Sequence, residues 1–369
     1  MKKFIIVIVA LCMTTVVFTQ NITIKAKYDE RVELISILCH LAGYREYNMN
    51  MGGEYISDID NYFSEVKNHQ AVQMMASLHN SNGISYDAPM SFAIYLDKIN
   101  SSFVLPSDSI VPERRWQGVD TKHTLELIND FYIQSDFATF FKQHKTFYQT
   151  ICNEYNSTII SQFNQNWYEH FYGVPPTDNF EVIIGFTNGG GNYGPARQLP
   201  NRPRDVYAII GFALDENKKP YFVSNPDTYI NTLIHEFNHS FVNPLTADSN
   251  NAAQMEQTGK TLMKFSENVM RRNSYGNWQT IINESIVRAA VILYHIDNGD
   301  TPDKIRQLVI DEIATGFNWM PELVNCLQSF SKQKKKYPSL NTYYPEIADC
   351  LTSYTNKLSA KVNAIDFKK

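Results

Sequence analysis

The segment from Thr232 to Val242 places two histidines four residues apart, with a glutamate directly after the first. Because successive helix residues turn by about 100°, His235 and His239 would lie one turn apart on one face and could bind the same ion. Glu236 would leave the helix beside them, close enough to reach a water on the ion without being a ligand. Zinc acidifies such a water, and a neighbouring carboxylate can take its proton. The spacing therefore predicts zinc ligands at His235 and His239 and a general base at Glu236.

The surroundings of these three residues predict a buried helix. Apolar residues flank them at Ile230, Leu233, Ile234, Phe237 and Phe241. Buried imidazole and carboxylate groups need a strong partner, and a metal ion supplies one. Asn225 or Asp227 is a candidate helix cap, and Asn243-Pro244 is expected to end the helix just beyond the second histidine. The alternative is a chance match between two ordinary helical histidines, but the whole chain of 369 residues has only nine histidines.

A catalytic zinc site needs a third protein ligand. Four acidic residues follow the motif within reach of a returning helix: Asp248, Glu256, Glu267 and Glu284. Glu284 is favoured because it lies in the middle of the apolar stretch 278–294, where an unpaired carboxylate would be costly. Glu256 and Glu267 lie in a more polar stretch and are better explained as solvated charges. The alternative for Glu284 is a simple pair with Arg288, one helical turn further on.

The N-terminus has the pattern of an export signal. Two lysines precede an apolar run from Phe4 to about Val17, and a polar exit follows near Gln20, so residues 1–20 are interpreted as a secretory signal peptide. Lipid anchoring at Cys12 is disfavoured because the bulky Leu11 precedes it. No other segment is long and apolar enough to span a bilayer. We expect a secreted or periplasmic protein without an integral membrane segment once the signal is removed.

Charge and cysteine content narrow the possible partners. The formal net charge of −5 and the pI near 6.0 argue against a nucleic-acid partner. Four cysteines follow the signal: Cys39, Cys152, Cys326 and Cys350. They are too few to form the framework of the fold, and none has the CxxC spacing of a zinc site. If two of them pair in an oxidising compartment, Cys326 with Cys350 is the favoured combination.

A strand-rich block interrupts two helical regions and directly precedes the metal helix. Strands are predicted at Glu181–Thr187 and Val206–Ala213, with a possible short third strand at Tyr221–Val223. The glycine-rich run 188–194 between the first two lacks the pattern of a phosphate-binding loop. A sheet edge with a flexible loop beside the metal helix would suit an extended peptide, and the alternative is an ordinary hairpin with a flexible loop.

The predicted fold class is α+β, predominantly helical, with a small mixed sheet next to the HExxH helix. Residues 21–175 are expected to form a mainly helical N-terminal region. Residues 176–369 are expected to contain the small sheet, the metal helix and a set of C-terminal helices. The oligomeric state is not indicated by any pattern in the chain.

Two resemblances extend this interpretation. His235-Glu-Phe-Asn-His239, followed by Asn283-Glu-Ser-Ile-Val-Arg288, resembles the gluzincin metallopeptidases, in which a glutamate on a second helix, often within an Asn-Glu pair, completes the HExxH site. The resemblance implies a zincin-like core with one zinc ion on His235, His239 and Glu284, and Glu236 as general base. The 44 residues between His239 and Glu284 exceed the spacing in compact gluzincins.

The mature chain as a whole also resembles a family of exported bacterial proteins of unassigned function, typical of gut Bacteroidetes. These proteins carry the same HExxH motif and an N-terminal segment like Val32–Leu38. This second resemblance covers most of the chain but implies no reaction.

A peptidase also needs a group that stabilises the oxyanion formed at the attacked carbonyl. The candidates are Tyr193, Tyr207, Tyr275 and Arg288, which spacing alone does not rank. His295 is excluded as a ligand beside Glu284, because eleven helical residues place it about 16 Å further along the axis.

The expected function is that of an exported zinc-dependent hydrolase, a metallopeptidase acting on a peptide or protein substrate. A hydrolase of non-peptide amides or esters would have the same pattern. The alternative from another class is a surface or periplasmic binding protein with a structural or vestigial metal site. Glu236 favours the enzyme, because a structural site has no use for a carboxylate beside a metal-bound water and would instead have a fourth protein ligand.

Overall fold

The computed structural model describes residues 24–49, 52–107, 110–176, 178–273 and 275–365 of the chain. The signal-peptide prediction, including Cys12, lies outside the described residues. Helices dominate the described part, and a small mixed sheet accompanies them, so the predicted α+β, predominantly helical class is confirmed. None of the described helices is long and apolar enough to cross a membrane.

The helices of the described residues are joined by short connections, apart from the long intervals 94–120 and 173–220, which contain most of the strands. Their bounds are α1 Glu30–Leu41, α2 Glu54–Tyr62, α3 Gln70–Asn82, α4 Ala88–Ala93, α5 Thr121–Gln134, α6 Phe137–Gln143, α7 Lys145–Thr158, α8 Asn166–Tyr172, α9 Tyr221–Ser224, α10 Pro226–Ala247, α11 Ser249–Arg272, α12 Trp278–Asp297, α13 Pro302–Ala314, α14 Met320–Lys332 and α15 Leu340–Asn363. The apolar helix α12 packs against α10, α11, α13 and α14, and is the central helix of the C-terminal half.

The main sheet has four strands in the order β1-β4-β6-β5. The strands of the described residues are β1 Ala26–Lys27, β2 Asp97–Ile99, β3 Ser102–Val104, β4 Asn179–Gly185, β5 Ala196–Arg197 and β6 Asp205–Gly211. Strands β1, β4 and β6 are parallel, whereas β5 is antiparallel to β6. Strands β2 and β3 form a separate antiparallel pair. Because β1 comes from the N-terminal region, residues on both sides of position 175 share the main sheet.

The two predicted central strands are present, but they do not form a hairpin. Val182 on β4 pairs with Ala208 on β6 in parallel register, so the hairpin alternative is wrong. Each strand contains a continuous buried apolar run, Val182–Ile184 on β4 and Val206–Ile210 on β6, which is typical of parallel strands covered on both faces. The connection between β4 and β6 includes the edge strand β5, which pairs with β6.

Two local predictions are also wrong. Tyr221–Val223 is not a third strand but lies in helix α9, which follows Pro220 and buries Phe222. A short apolar run cannot by itself distinguish a strand from a helical turn. Pro244 does not end the metal helix, which continues to Ala247. Proline is tolerated there because only the last turn follows it, so little helix depends on the missing N–H.

The glycine-rich run after β4 is closely packed against α1 rather than loosely attached. Asn188 is fully buried, and its Oδ1 accepts a hydrogen bond of 2.8 Å from Ser36 Oγ on α1. Gly189 has a φ of +61°, and a Cβ there would overlap the carbonyl oxygen of Glu46. Only glycine suits such a position. The contacts with Ser36 and Glu46 therefore fix the position of the loop that leads to β5.

A buried carboxylate anchors the start of this loop. Glu33 on α1 is only 2 % exposed and accepts hydrogen bonds from the Thr187 hydroxyl, from Tyr55 Oη at 2.9 Å and from the Phe186 backbone N–H at 3.2 Å. Burial raises the pKa of Glu33 to about 7, although these hydrogen bonds oppose the rise.

This pKa makes stability depend on pH. Between the ordinary pKa of 4.5 and about 7, the folded chain holds a proton on Glu33 that the unfolded chain has lost. The free energy of unfolding should therefore fall as the pH rises through this window, by on the order of 3 kcal/mol from this one group. Urea denaturation at pH 5 and pH 8 should show a smaller difference for Glu33→Gln than for the wild type. The exposed Glu65→Gln is the control, and an unchanged difference in Glu33→Gln would contradict the assignment.

Cys326 and Cys350 are free thiols on facing turns of α14 and α15. The sulfur of Cys326 lies 3.7 Å from the Glu346 carbonyl oxygen, and that of Cys350 lies 3.5 Å from the Glu322 carbonyl oxygen. Each carbonyl belongs to the residue one turn before the other cysteine, so the two thiols are neighbours. Their pairing as a disulfide stays a prediction.

Candidate metal centre

Helix α10 carries His235, Glu236 and His239 and is held in place by aromatic contacts. Asn225 occupies its N-cap position without a side-chain hydrogen bond, and Pro226 is its first residue. The Phe237 ring meets the Phe180 ring of β4 edge to face at 4.4 Å, and the Phe241 ring stacks on Tyr172 at 4.4 Å. The apolar residues beside the motif therefore fix the helix against the sheet and α8.

Buried hydrogen bonds lock α10 to α12. Asn238 lies between His235 and His239 in the sequence and is fully buried. Its Nδ2 donates to the Val287 carbonyl of α12 at 3.2 Å. Its Oδ1 accepts from Tyr172 Oη at 2.9 Å. On the other side of α12, Trp319 Nε1 donates to Ser285 Oγ at 2.8 Å. These bonds set the position of Glu284, which lies between Ser285 and Asn283 on the same helix.

The structure brings the three predicted ligands together. His235 Nε2 lies 3.6 Å from Glu284 Oε2, His239 Nε2 lies 3.4 Å from Glu284 Oε1, and the two Nε2 atoms are 3.2 Å apart. Ligands bound tetrahedrally about 2.1 Å from a metal ion would lie about 3.4 Å from one another. His235, His239 and Glu284 thus form a possible metal-binding triad, with separations that suit a small tetrahedral ion.

Two asparagines determine which nitrogen of His239 faces the centre. His239 Nδ1 lies 3.1 Å from Asn283 Oδ1 and 3.1 Å from Asn243 Oδ1. Both oxygens are acceptors, so this network assigns the proton to Nδ1 and leaves the Nε2 lone pair directed at Glu284 and His235. An outer hydrogen bond of this kind is typical of metal-binding histidines. The asparagine in the Asn283-Glu284 pair therefore orients one ligand while its neighbour supplies another.

The charge balance also favours a cation at this point. Burial lowers the pKa of His235 well below its ordinary value, and the nearby His239 and Arg288 lower it further. His235 is therefore neutral, and its Nε2 lies 3.2 Å from that of His239. A cation bound by these two nitrogens would also offset the negative charge of the Glu284 carboxylate.

Tyr275 and Arg288 hold the Glu284 carboxylate through hydrogen bonds. It is 8 % exposed, and its Oε2 accepts hydrogen bonds from Tyr275 Oη at 3.1 Å and from Arg288 Nε at 3.3 Å. Arg288 also donates to Tyr275 Oη at 2.9 Å and to Glu312 at 2.9 Å. The pair with Arg288 is thus present, but it leaves Glu284 Oε1 facing His239. Glu284 Oε2 therefore contacts both Arg288 and His235, so the pair with Arg288 and a role as metal ligand are compatible.

The other acidic candidates lie elsewhere. Asp248 caps α11 by accepting from the backbone N–H groups of Asn250 and Asn251. Glu256 and Glu267 form exposed pairs with Lys260 and Arg271 at 2.5 and 2.8 Å. None of the three faces the histidines, and two of them are the solvated charges that the sequence indicates.

Two of the four oxyanion candidates contact Glu284, and the other two pack against other residues. Tyr275 and Arg288 touch Glu284, whereas the Tyr193 ring stacks on Tyr47 at 6.0 Å and Tyr207 lies against Arg31. His295 is bound at 2.5 Å by Asp300 and at 2.6 Å by Asn231, one helix end away from the triad. Its exclusion as a ligand agrees with this position.

Glu236 lies beside the triad with a free carboxylate. Among the described residues no side chain or backbone group hydrogen-bonds to it, and Gly194 is so close that a Cβ there would overlap Glu236 Oε2. Burial raises its pKa, and the carboxylates of Glu284 and Asp87 raise it further, while His239 lowers it. A raised pKa suits a group that accepts and then returns a proton near neutral pH.

An open strand edge runs past Glu236. Tyr193 exchanges backbone hydrogen bonds with Ile209 at 2.9 and 2.8 Å, and Pro195 accepts from the Tyr207 N–H at 3.0 Å. In an antiparallel ladder the residues between these pairs direct their N–H and C=O groups the other way. Gly194 and Ala196 therefore turn their backbone groups away from β6. In the described part of the chain no further strand pairs with that side.

Fold and site together define an α+β protein in which two packed helices bring together a possible metal-binding triad near a sheet edge. Residues 117–350 match the family described as "Domain of unknown function (DUF4932)". The match covers more than half of the chain and includes both α10 and α12, so the chain belongs to this family. No curated protein and no solved structure matches it. The expectation of a family without an assigned function agrees with this result.

The orientation of His239 gives a testable prediction. Asn283→Ala should remove the acceptor that holds the His239 ring and weaken metal affinity by about 10- to 100-fold. The zinc dissociation constant, measured by competition with a chelating dye, checks this. Asn325→Ala, at an exposed position of α14, is the matched control. Equal affinities of the two variants would show that Asn283 does not orient a ligand.

Proposed function

We propose that the protein is a zinc-dependent hydrolase that cleaves peptide bonds, with zinc on His235, His239 and Glu284 and with Glu236 as general base. The observation that carries the proposal is the convergence of His235 Nε2, His239 Nε2 and Glu284 within 3.2 to 3.6 Å of one another beside a free carboxylate. The resemblance to gluzincins implies the same ligands and the same general base.

The donor set supports zinc and a catalytic rather than structural role. Two imidazoles and one carboxylate are a known ligand set of catalytic zinc, whereas structural sites have four protein ligands. Among the described residues the candidate group contains these three side chains and no fourth. When bound, zinc would lower the pKa of a water and polarise the carbonyl of the substrate.

Glu236 is suited to move the proton in this reaction. Its carboxylate is close to the triad but not part of it, and no neighbouring group of the described chain holds it in a hydrogen bond. It would take a proton from the attacking water and pass that proton to the leaving amine, so it acts first as base and then as acid. The raised pKa supports the second step, because a weaker acid is protonated more readily at neutral pH.

The open edge beside Glu236 favours a peptide over other amides and esters. An extended peptide can add to a sheet edge as a further strand and bond to its free N–H and C=O groups. Gly194 and Ala196 offer such groups, and Gly194 is also the residue against Glu236. A peptide paired there would bring its backbone carbonyl close to the triad. A small ester would gain nothing from this edge.

Tyr275 is the best placed of the oxyanion candidates. Burial raises the pKa of its hydroxyl to about 12, so the group stays protonated and can donate. It already donates to Glu284 at 3.1 Å, and Arg288 donates to it from behind. The hydroxyl is therefore next to a ligand of the proposed metal, where negative charge would develop on the substrate carbonyl.

The decisive variant for the mechanism is Glu236→Gln. It keeps the size of the side chain but cannot take a proton, so zinc content should be unchanged and turnover should fall by at least about 100-fold. Cleavage of a quenched-fluorescent peptide library by the zinc-loaded protein measures turnover, and elemental analysis measures zinc. Glu256→Gln, an exposed position on α11, should match the wild type in both. A Glu236→Gln protein with undiminished activity would refute the mechanism.

A further inference from the structure

We infer that the groove next to the metal ligands selects substrates with a neutral amide side chain beside the cleaved bond. This inference rests on the proposed hydrolase function and adds a substrate preference to it. The groove has a volume of about 420 Å³ and lies between the last turns of α10 and the first turns of α12. His239 and Glu284 belong to its lining, and the other lining residues are Asn243, Thr246, Ala247, Gln279, Thr280 and Asn283.

The lining of the groove favours a neutral polar partner. Apart from His239 and Glu284, it contains three amides, two threonine hydroxyls and three methyl groups, with no charged and no aromatic side chain. An ionised substrate side chain would lose water there without gaining an opposite charge. An apolar side chain would cover the Asn243 and Gln279 amides without hydrogen-bonding to them. A neutral hydrogen-bonding group is the chemistry that fits.

Some of these polar groups already have hydrogen-bond partners within the protein. Asn283 Nδ2 donates to Asn243 Oδ1 at 2.8 Å and to Thr246 Oγ1 at 2.8 Å. Asn283 Oδ1 and Asn243 Oδ1 both face His239 Nδ1. These residues form the floor of the groove and keep the metal ligand in place. They are therefore not free to recognise a substrate through the same atoms.

The remaining groups are a donor and a complete amide. Asn243 Nδ2 has no partner among the described residues, and neither the oxygen nor the nitrogen of the exposed Gln279 side chain has one. The Thr280 hydroxyl donates to Asn277 Oδ1 at 3.1 Å and keeps a lone pair for accepting. A primary amide donates and accepts at once, so it can satisfy both kinds of group. Glutamine and asparagine carry that function.

The position of the groove identifies which substrate residue it holds. Because His239 and Glu284 belong to the lining of the groove, a side chain in it would belong to a residue adjacent to the carbonyl at the proposed metal. The open edge at Gly194 and Ala196 is available for the peptide backbone. Backbone pairing would then give affinity for peptides in general, and the groove would give the preference among them.

Three probes of nearly equal size test this preference directly. Each is a short peptide with a hydroxamate cap that can bind the metal, followed by glutamine, glutamate or methionine. Their dissociation constants are measured by calorimetry on the zinc-loaded wild-type protein. The glutamine probe should bind about tenfold more tightly than either of the others, as expected for one or two added hydrogen bonds.

Variants of Gln279 assign the preference to the groove. Gln279→Leu keeps the volume but removes the amide, so the glutamine probe should lose its advantage while the methionine probe binds as tightly as before or more tightly. Gln257→Leu, at an exposed position on α11, should keep the wild-type preference. Zinc content measured on each variant shows that the centre is intact.

The possible results distinguish a failure of the groove inference from a failure of the proposed function. Equal affinities for the three probes on a zinc-loaded protein, or an unchanged preference in Gln279→Leu, would overturn the groove inference and leave the hydrolase proposal standing. A wild-type protein that takes up no zinc and binds no hydroxamate would overturn both.

Discussion

The candidate site depends on the close approach of three ligand-type groups from two packed helices. His235 Nε2, His239 Nε2 and the Glu284 carboxylate face one another at 3.2 to 3.6 Å. These separations suit three ligands of one small cation, which would also offset the negative charge of Glu284. In the proposed function zinc would occupy this position, and the protein would supply the frame around it.

That frame consists of hydrogen bonds from residues that surround the triad. Asn238 joins α10 to α12, Asn283 fixes the ring of His239, and Arg288 balances the charge of Glu284. The same three contacts explain why the ligands on two separate helices meet with separations suited to a small ion. Glu236 is the exception, because no described neighbour binds it and its pKa is raised. A free carboxylate beside a rigid centre is an arrangement that serves proton transfer better than structure.

The part of this site that depends on local spacing could be predicted from the sequence. The four-residue interval set His235 and His239 on one face, and the apolar surroundings of Glu284 identified a carboxylate that needs a cation. Helix α12 has the predicted bounds of Trp278–Asp297. What depends on distant contacts could not be predicted. The parallel pairing of β4 with β6 arises from a crossover that leaves no local pattern, and the roles of Asn243 and Gly194 follow from which helix and which loop they meet.

Elemental analysis of the purified protein beside its Glu284→Ala variant tests the central claim most directly. The account predicts about one zinc per wild-type chain and loss or sharp weakening of binding in the variant, because two imidazoles alone leave the ion with too few protein ligands. A wild-type chain without bound metal even after zinc is offered, or a variant that keeps a full equivalent with unchanged affinity, would contradict it.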